Sequence, residues 1–280
     1  MTDRRFDVVV LNYERLHSFF GNFDRIRAFD PARDRLTVVS CSPSEREAEE
    51  VRTFEREWGL GVRYLTRANR GIDQLARAEY FTGAVGSLDD NLAYPYIFQM
   101  QDHYLDPDDP GSRWGPELDL RAKGDVVPDG VVFDLDALEG LAGKHELAGF
   151  FCDRNDPSLV AIEAGRYVAP SGGNFAIRTA LVADPTAQAA CRRMIEACDD
   201  TYAWAVYAEF AWGPIFFHEG RPFYDVKRDR VFERWDPADF YRPPDDIPKL
   251  IRRFEGPRAR RAVSRAMGRA RVALGRVAGR

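Results

Sequence analysis

Four short runs of strand-forming residues recur along the first hundred positions, each separated from the next by a stretch with helical spacing. They are FDVVVLN (Phe6–Asn12), RLTVVSCS (Arg35–Ser42), GVRYLT (Gly61–Thr66) and YIFQMQ (Tyr96–Gln101). The first intervening stretch, YERLHSFFGNFDRIRAF, sets Leu16, Phe19, Phe20 and Phe23 on one side of a helix. The second, SEREAEEVRTFEREWG, opens on a serine able to cap it and stops at Gly59. The third is GIDQLARAEYFTG. Alternation at this spacing predicts a mostly parallel α/β sheet with helices on both faces.

Beyond Asp106 the pattern is less regular. An Asp-, Pro- and Gly-rich stretch reads as loop. VVFDL (Val131–Leu135), LAGFFCD (Leu147–Asp153) and RPFYDV (Arg221–Val226) read as short strands. Helices are expected from about Pro185 to Cys198 and from about Tyr202 to Glu219, the second kinked at Gly213-Pro214.

Several function classes drop out. The segment after the first strand is NYERLHSFFG, with no G-x-G-x-x-G, and no G-x-x-x-x-G-K-[ST] occurs anywhere. That argues against a dinucleotide enzyme and a P-loop NTPase. The four cysteines, Cys41, Cys152, Cys191 and Cys198, form no C-x-x-C pair and read as buried small hydrophobes. No run of about eighteen apolar residues exists, and the N-terminus has no signal-peptide pattern, so a cytoplasmic location is expected. His17, among LHSFF, reads as a core histidine.

Chemistry is expected where the fourth strand ends. Asp102 and His103 follow YIFQMQ directly, and ligands of open α/β sheets bind outside the carboxyl ends of the strands. Asp102 is either a ligand-facing carboxylate or a strand-end partner for a nearby arginine.

Four stretches, in order, resemble the GT-A glycosyltransferases and more loosely their family-2-type branch. VVVLNYER is similar to the first strand and sugar-nucleotide loop. NRGIDQLAR (Asn69–Arg77) is similar to an N-x-G-x-x-x-A-R helix start, one residue longer here. YIFQMQDH stands where the family carries D-x-D, and GGNFAIR (Gly172–Arg178) is close to G-G-N-x-x-x-R. The resemblance implies a GT-A-like, Rossmann-like sheet and sugar transfer from a nucleotide donor such as a UDP-sugar, with inversion, to a glycan or lipid-linked acceptor.

It also implies site residues. Asn12, Tyr13 and the residues from Ser40 to Ser42 would meet the base. Asn69, Arg70 and Arg77 would lie over the diphosphate, and Gly172, Gly173 and Asn174 beside the sugar. Asp102 would hold Mn²⁺ or Mg²⁺, with His103 or His218 adding a nitrogen; Lys227 and Arg228 could replace the metal. Glu209, with Trp212 three residues on, stands as general base or as a solvated helix acid. A protein that binds nucleotide or carbohydrate on this fold without catalysis is the alternative.

The expected transferase domain spans residues 1–245, divided into a nucleotide-sugar half (1–106) and an acceptor half (107–245), with a basic amphipathic helical tail over 246–280. From Lys249 to Arg280 there are eleven Lys and Arg and one acid, Glu255, in a chain of net charge −5. A solvated tail and a peripheral contact with an anionic membrane at its inner face both fit this pattern. A nucleic-acid partner is not expected, because the tail has no interleaved aromatics and the body is acidic.

Overall fold

The computed structural model describes residues 3–67, 73–102, 105, 133–147, 149–151, 161–162, 165–166, 175–197, 223–225 and 230–232. The first half runs β1 (Phe6–Asn12), α1 (Leu16–Gly21), a 3-10 turn (Phe23–Arg25), β2 (Ile26–Arg27), β3 (Arg35–Ser40), α2 (Glu45–Trp58), β4 (Val62–Thr66), α3 (Asp73–Thr82), α4 (Leu88–Asn91) and β5 (Tyr96–Gln101). Then come β6 (Phe133–Asp134), α5 (Leu135–His145), β7 (Gly149–Phe151), β8 (Ala161–Ile162), β9 (Gly165–Arg166), β10 (Phe175–Arg178), α6 (Thr179–Val182), α7 (Pro185–Ala197), β11 (Phe223–Asp225) and β12 (Arg230–Phe232).

Eight strands form one sheet in the order β12-β11-β7-β10-β5-β1-β3-β4. The pairs β4–β3, β3–β1, β1–β5 and β7–β11 are parallel. Strand β10 runs antiparallel to both neighbours, β5 and β7, and β12 runs antiparallel to β11. The expected α/β class is therefore the one observed: a mostly parallel sheet flanked by helices.

Every residue of β1 is buried, as a central parallel strand covered on both faces requires. Its alternating side chains divide the core. Phe6, Val8 and Val10 pack with Leu36, Val38, Phe98 and Met100 beneath α1, α2 and α5. Val9 and Leu11 pack with Val39, Ile97, Phe175 and Ile177 beneath α3 and α7.

Asp7 falls on the second face, where an apolar residue is expected. Its carboxylate accepts two bonds from Arg35, at 3.1 and 2.6 Å, one from Thr37 Oγ1 at 2.7 Å, and one from the Tyr80 hydroxyl. Asp7 is fully buried and so is almost all of Tyr80. Burial, reinforced by the Asp7 charge, pushes the Tyr80 phenol well above its ordinary value, so it stays a donor. This one carboxylate joins β1, β3 and α3.

A second buried cation, Arg5, anchors α5. Its guanidinium donates to Asp34 at 2.9 and 2.5 Å, and also to Asp136 and the Ala28 carbonyl.

Two elements and one residue depart from expectation. The first helix stops after six residues, because Asn22 donates its backbone N–H to Phe19 and its side-chain amide to Ser18. Phe23 still reaches the core from the 3-10 turn, edge-on to Phe54 at 5.1 Å. His17 is exposed, which corrects its reading as a core histidine; Leu16, Phe19 and Phe20 occupy the buried face of α1. Of the strand expected over Val131–Leu135, β6 is present among the described residues, and Leu135 opens α5 instead, since Asp134 caps that helix by accepting from Asp136 and Ala137 N–H at 3.1 Å each. The strand of RPFYDV and the helix opening at Pro185 are present. Cys41 and Cys191 are buried, as expected, and burial pushes the Cys191 thiol up to about 12. Cys152, Cys198, the helix expected over 202–219 and the basic tail lie outside the described residues.

Removing the Asp7 carboxylate strands Arg35 and Tyr80. Asp7→Ala is expected to lower the unfolding free energy by roughly 3–5 kcal/mol, the range for breaking a buried pair. Tyr80→Phe, which removes one donor, should cost about 1 kcal/mol. Urea unfolding midpoints at constant slope measure both.

Candidate functional site

The first four parallel strands stand in the order β4-β3-β1-β5, so the chain leaves β1 toward β3 and later returns to its other side as β5. The crevice between the carboxyl ends of β1 and β5 is thus a topological switch point, the usual ligand position in open α/β sheets. Asp102 sits in that crevice. Its N–H donates to the Leu11 carbonyl at 3.2 Å, and its carboxylate accepts from Tyr13 N–H at 2.5 Å. Asp102 therefore clamps the turn that leaves β1.

On the β3 side of β1 a cavity of about 270 Å³ opens at the same edge of the sheet. Asn12, Glu14, Ser42, Arg46, Glu47 and Glu50 contribute to its wall. Glu14 holds a left-handed backbone with φ 68°, uncommon for a residue with a Cβ. Asn12 is fully buried, and its Oδ1 accepts from Arg15 N–H at 3.2 Å. That bond fixes the amide so that Nδ2 is the remaining group.

Glu47 is the unusual member. Helix α2 begins S-E-R-E, with Ser44 as cap accepting from Glu47 N–H at 3.2 Å. In the common form of this pattern the glutamate reaches back to the cap's own N–H. Here the carboxyl faces the strand ends instead, on the buried stripe Glu47, Val51, Phe54 of α2. Glu47 is 4% exposed. Burial raises its pKa; nearby Ser40, Tyr64 and Asn12 counter this in part, and Glu50 adds to it. These neighbours are close enough to be felt but do not reach hydrogen-bond geometry. Among the described residues, Asn12 Nδ2, Ser40 Oγ, Ser42 Oγ, Glu47 Oε1 and Tyr64 OH are buried without hydrogen-bond partners. Burial also lifts the Tyr64 phenol, to about 12.

The structure brings together Asn12, Ser40 and Asp102 of the residues expected from sequence. Tyr13 follows them with its ring 53% exposed at the mouth of the crevice. Arg77 is 1% exposed on α3, its guanidinium 4.6 Å above the ring of Phe175, the first residue of β10. Asn69, Arg70, His103, Gly172, Gly173, Asn174, Glu209, His218, Lys227 and Arg228 lie outside the described residues. Ser42, expected with Ser40, lines the cavity as well, and Glu47 joins it. The signal for Glu47 was an acid on the apolar stripe of α2, four residues before Val51.

Among the described residues no group of three or more His, Cys, Asp or Glu side chains is placed to hold a metal ion. One carboxylate oxygen of Asp102 accepts from Tyr13 N–H, and Mg²⁺ sites are commonly completed by substrate phosphates and water beside one or two carboxylates. No helix among the described residues is long and apolar enough to cross a membrane.

No family model matches the chain, and no curated protein matches it. Solved structures similar to it include TarS residues 1–349 from S. aureus, with 12% identity and a TM-score of 0.45 over 88% of this chain and 64% of that one. The same TarS fragment in complex with UDP-GlcNAc shares 10% identity at a TM-score of 0.42, over 88% of this chain and 65% of that one. Its complex with UDP shares 12% at 0.42, over 88% and 64%. The chain thus spans just under two thirds of the length of these structures.

The raised pKa of Glu47 has a defined sign. The folded protein holds this proton more tightly than the unfolded chain, whose glutamates titrate near 4.3. Stability therefore falls as pH rises from there through the folded-state value. Glu47→Gln removes the buried charge, and is expected to melt higher than the wild type at pH 8, with the gap closing toward pH 4. Melting curves across that range, without ligand, measure it.

Proposed function

We propose that this chain is a glycosyltransferase that takes a sugar from a nucleotide donor. The observation that carries the reading is the polar cavity at the carboxyl edge of β1 and β3, set beside the switch-point carboxylate Asp102. The base and ribose fill the cavity, and the diphosphate runs along the edge toward the crevice. Asp102 orders the turn after β1 through Tyr13 N–H, which keeps that edge open.

In the reaction the bond between the anomeric carbon and the diphosphate oxygen breaks. A new bond forms to an acceptor hydroxyl, whose proton passes to a base. From the sequence resemblance we assign the base to Glu209 and expect inversion, with Gly172, Gly173 and Asn174 beside the sugar. The leaving diphosphate gains negative charge, which needs cationic stabilisation. Arg70, Lys227 and Arg228 are the chain's cationic candidates for that work, with Asn69 as a neutral hydrogen-bond donor to the same group. Mn²⁺ or Mg²⁺ is the other candidate, and the test below separates them. Arg77, held on Phe175, supports the chain just after the Gly172–Asn174 segment rather than reaching the donor. A glycan or lipid-linked acceptor, met at the inner face of the membrane with help from the basic tail, fits the charge division along the chain.

A panel of sugar nucleotides, assayed for binding and slow hydrolysis with Mn²⁺ and then with EDTA, tests this on wild type and Asp102→Asn. We expect one donor to be hydrolysed, with the mutant slowed about 10- to 1,000-fold if Asp102 acts on the diphosphate. Hydrolysis that survives EDTA assigns charge stabilisation to Lys227 and Arg228. Binding without turnover, with acceptor also present, would convert the reading to a nucleotide-binding protein. Binding of no donor would sink it.

A further inference from the structure

Strand β5 does not run straight past its end. Phe98 and Met100 pack into the core beneath α1, α2 and α5, while Ile97 packs into the other. Continued as a strand, that alternation would give residue 105 to the side of Ile97. Leu105 packs instead with Phe98 and Met100, fully buried. The chain therefore turns inward just after Asp102.

A turn that buries backbone has to find partners for it. The Leu105 carbonyl accepts from Arg25 Nη1 at 3.1 Å, across 80 positions of sequence. Arg25 lies in the 3-10 turn between buried Phe23 and Ile26, and its own N–H donates to the Asn22 carbonyl at 3.1 Å. The next two residues, Ile26 and Arg27, form β2 and pair with β6. The guanidinium is thus presented from backbone that is fixed on both sides.

Asp102 stands between two anchors. Its N–H is held by the Leu11 carbonyl at 3.2 Å, and three residues later the chain is held by Arg25. Three residues span at most about 11 Å, so a displacement of the second anchor is passed to Asp102 with little chain to absorb it. The direction of the carboxylate at the switch point depends on both anchors.

We propose that Arg25 is a positioning residue for Asp102: by holding the Leu105 carbonyl, it sets the corner from which that carboxylate faces the donor. This rests on the proposed function, which gives Asp102 a donor to face. Arg25 takes no part in bond making and acts only through the corner.

The test is single-turnover hydrolysis, with enzyme in excess, of the donor found in the sugar-nucleotide panel. Wild type, Arg25→Met, Arg25→Lys, Asp102→Asn and the double variant Arg25→Met/Asp102→Asn are compared per folded protein, with the folded fraction read from urea unfolding. Arg25→Met keeps an apolar stem but loses the donor group. It should slow hydrolysis about 10- to 100-fold, the scale for a small misplacement remote from the chemistry. Arg25→Lys keeps a charged donor for the single carbonyl and should recover much of that rate. In the Asp102→Asn background Arg25→Met should cost almost nothing further, because the group it positions is gone. A merely structural Arg25 would cost the same factor in both backgrounds. That result, a wild-type rate in Arg25→Met, or no rescue by lysine overturns the inference and leaves the transferase reading standing. Should Arg25→Met fail to fold, Arg25→Gln, whose amide is too short to reach the carbonyl, takes its place in the same cycle. Hydrolysis of no donor by the wild type removes both.

Discussion

The buried carboxylate of Asp7 sets the frame on which everything else is hung. It lies on the central strand, with ligands on a neighbouring strand and on the helix above. Buried ion pairs add little net stability over apolar packing, but breaking one is expensive. Their value is in selecting an arrangement. Asp7 stands opposite Arg35 in the β1–β3 register, and Thr37 is two residues further on. A slip of one residue would turn Thr37 to the other face and leave the carboxylate without it. The same register delivers Asn12 opposite Ser40 at the far end of the strands. One polar lock at the amino edge of the sheet thus aligns the polar wall at its carboxyl edge.

The two ends answer opposite demands. At the amino edge every strong polar group described around Asp7 has its partner. At the carboxyl edge Asn12, Ser42 and Glu47 keep atoms unpaired within a sheet whose β1 is otherwise tightly satisfied. The contrast separates an edge where polar pairing is complete from the edge to which the proposed function assigns the donor. Asp102 belongs to both regimes, closing the turn after β1 while standing in the switch-point crevice.

Much of this was legible in the sequence. The strands β1, β3, β4 and β5 were visible because a parallel core strand is a nearly continuous apolar run, and α2 because Ser44 and Gly59 punctuate it. Gly59 indeed takes the left-handed C-cap conformation, φ 64°. Helix α5 was overlooked, although Asp134 caps it and Leu135, Leu138 and Ala142 bury one face, because Gly140 and Gly143 dilute the pattern. The antiparallel β10 is four residues long, and nothing in so short a run announces its direction. Of the expected site residues, Asn12, Ser40 and Asp102 lie at or just beyond strand ends on one edge of the sheet, where strand ends and the family resemblance had placed them. Glu47 was not singled out in its charged helix; only its phase against Val51 and Phe54 marks it as inward-facing. Arg77 was expected at the diphosphate and is instead seated on an aromatic ring within the core, where helical phase, not motif position, put it.

Strand β1 precedes both of its partners in the chain. Phe6 pairs with Tyr96 and Asp7 with Arg35, so the most apolar strand is made well before it can be covered. During synthesis it must wait, first for β3 and α2, then for β5, with its second edge open in the interval. Long-range parallel pairing is slow to form, and an uncovered strand edge invites pairing with other chains. The contact between Asp102 and Tyr13 comes last in this order. The crevice is therefore assembled only when the final central strand arrives, and a nascent chain halted before that point would carry the cavity residues of β1 and β3 without the carboxylate that closes the turn beside them.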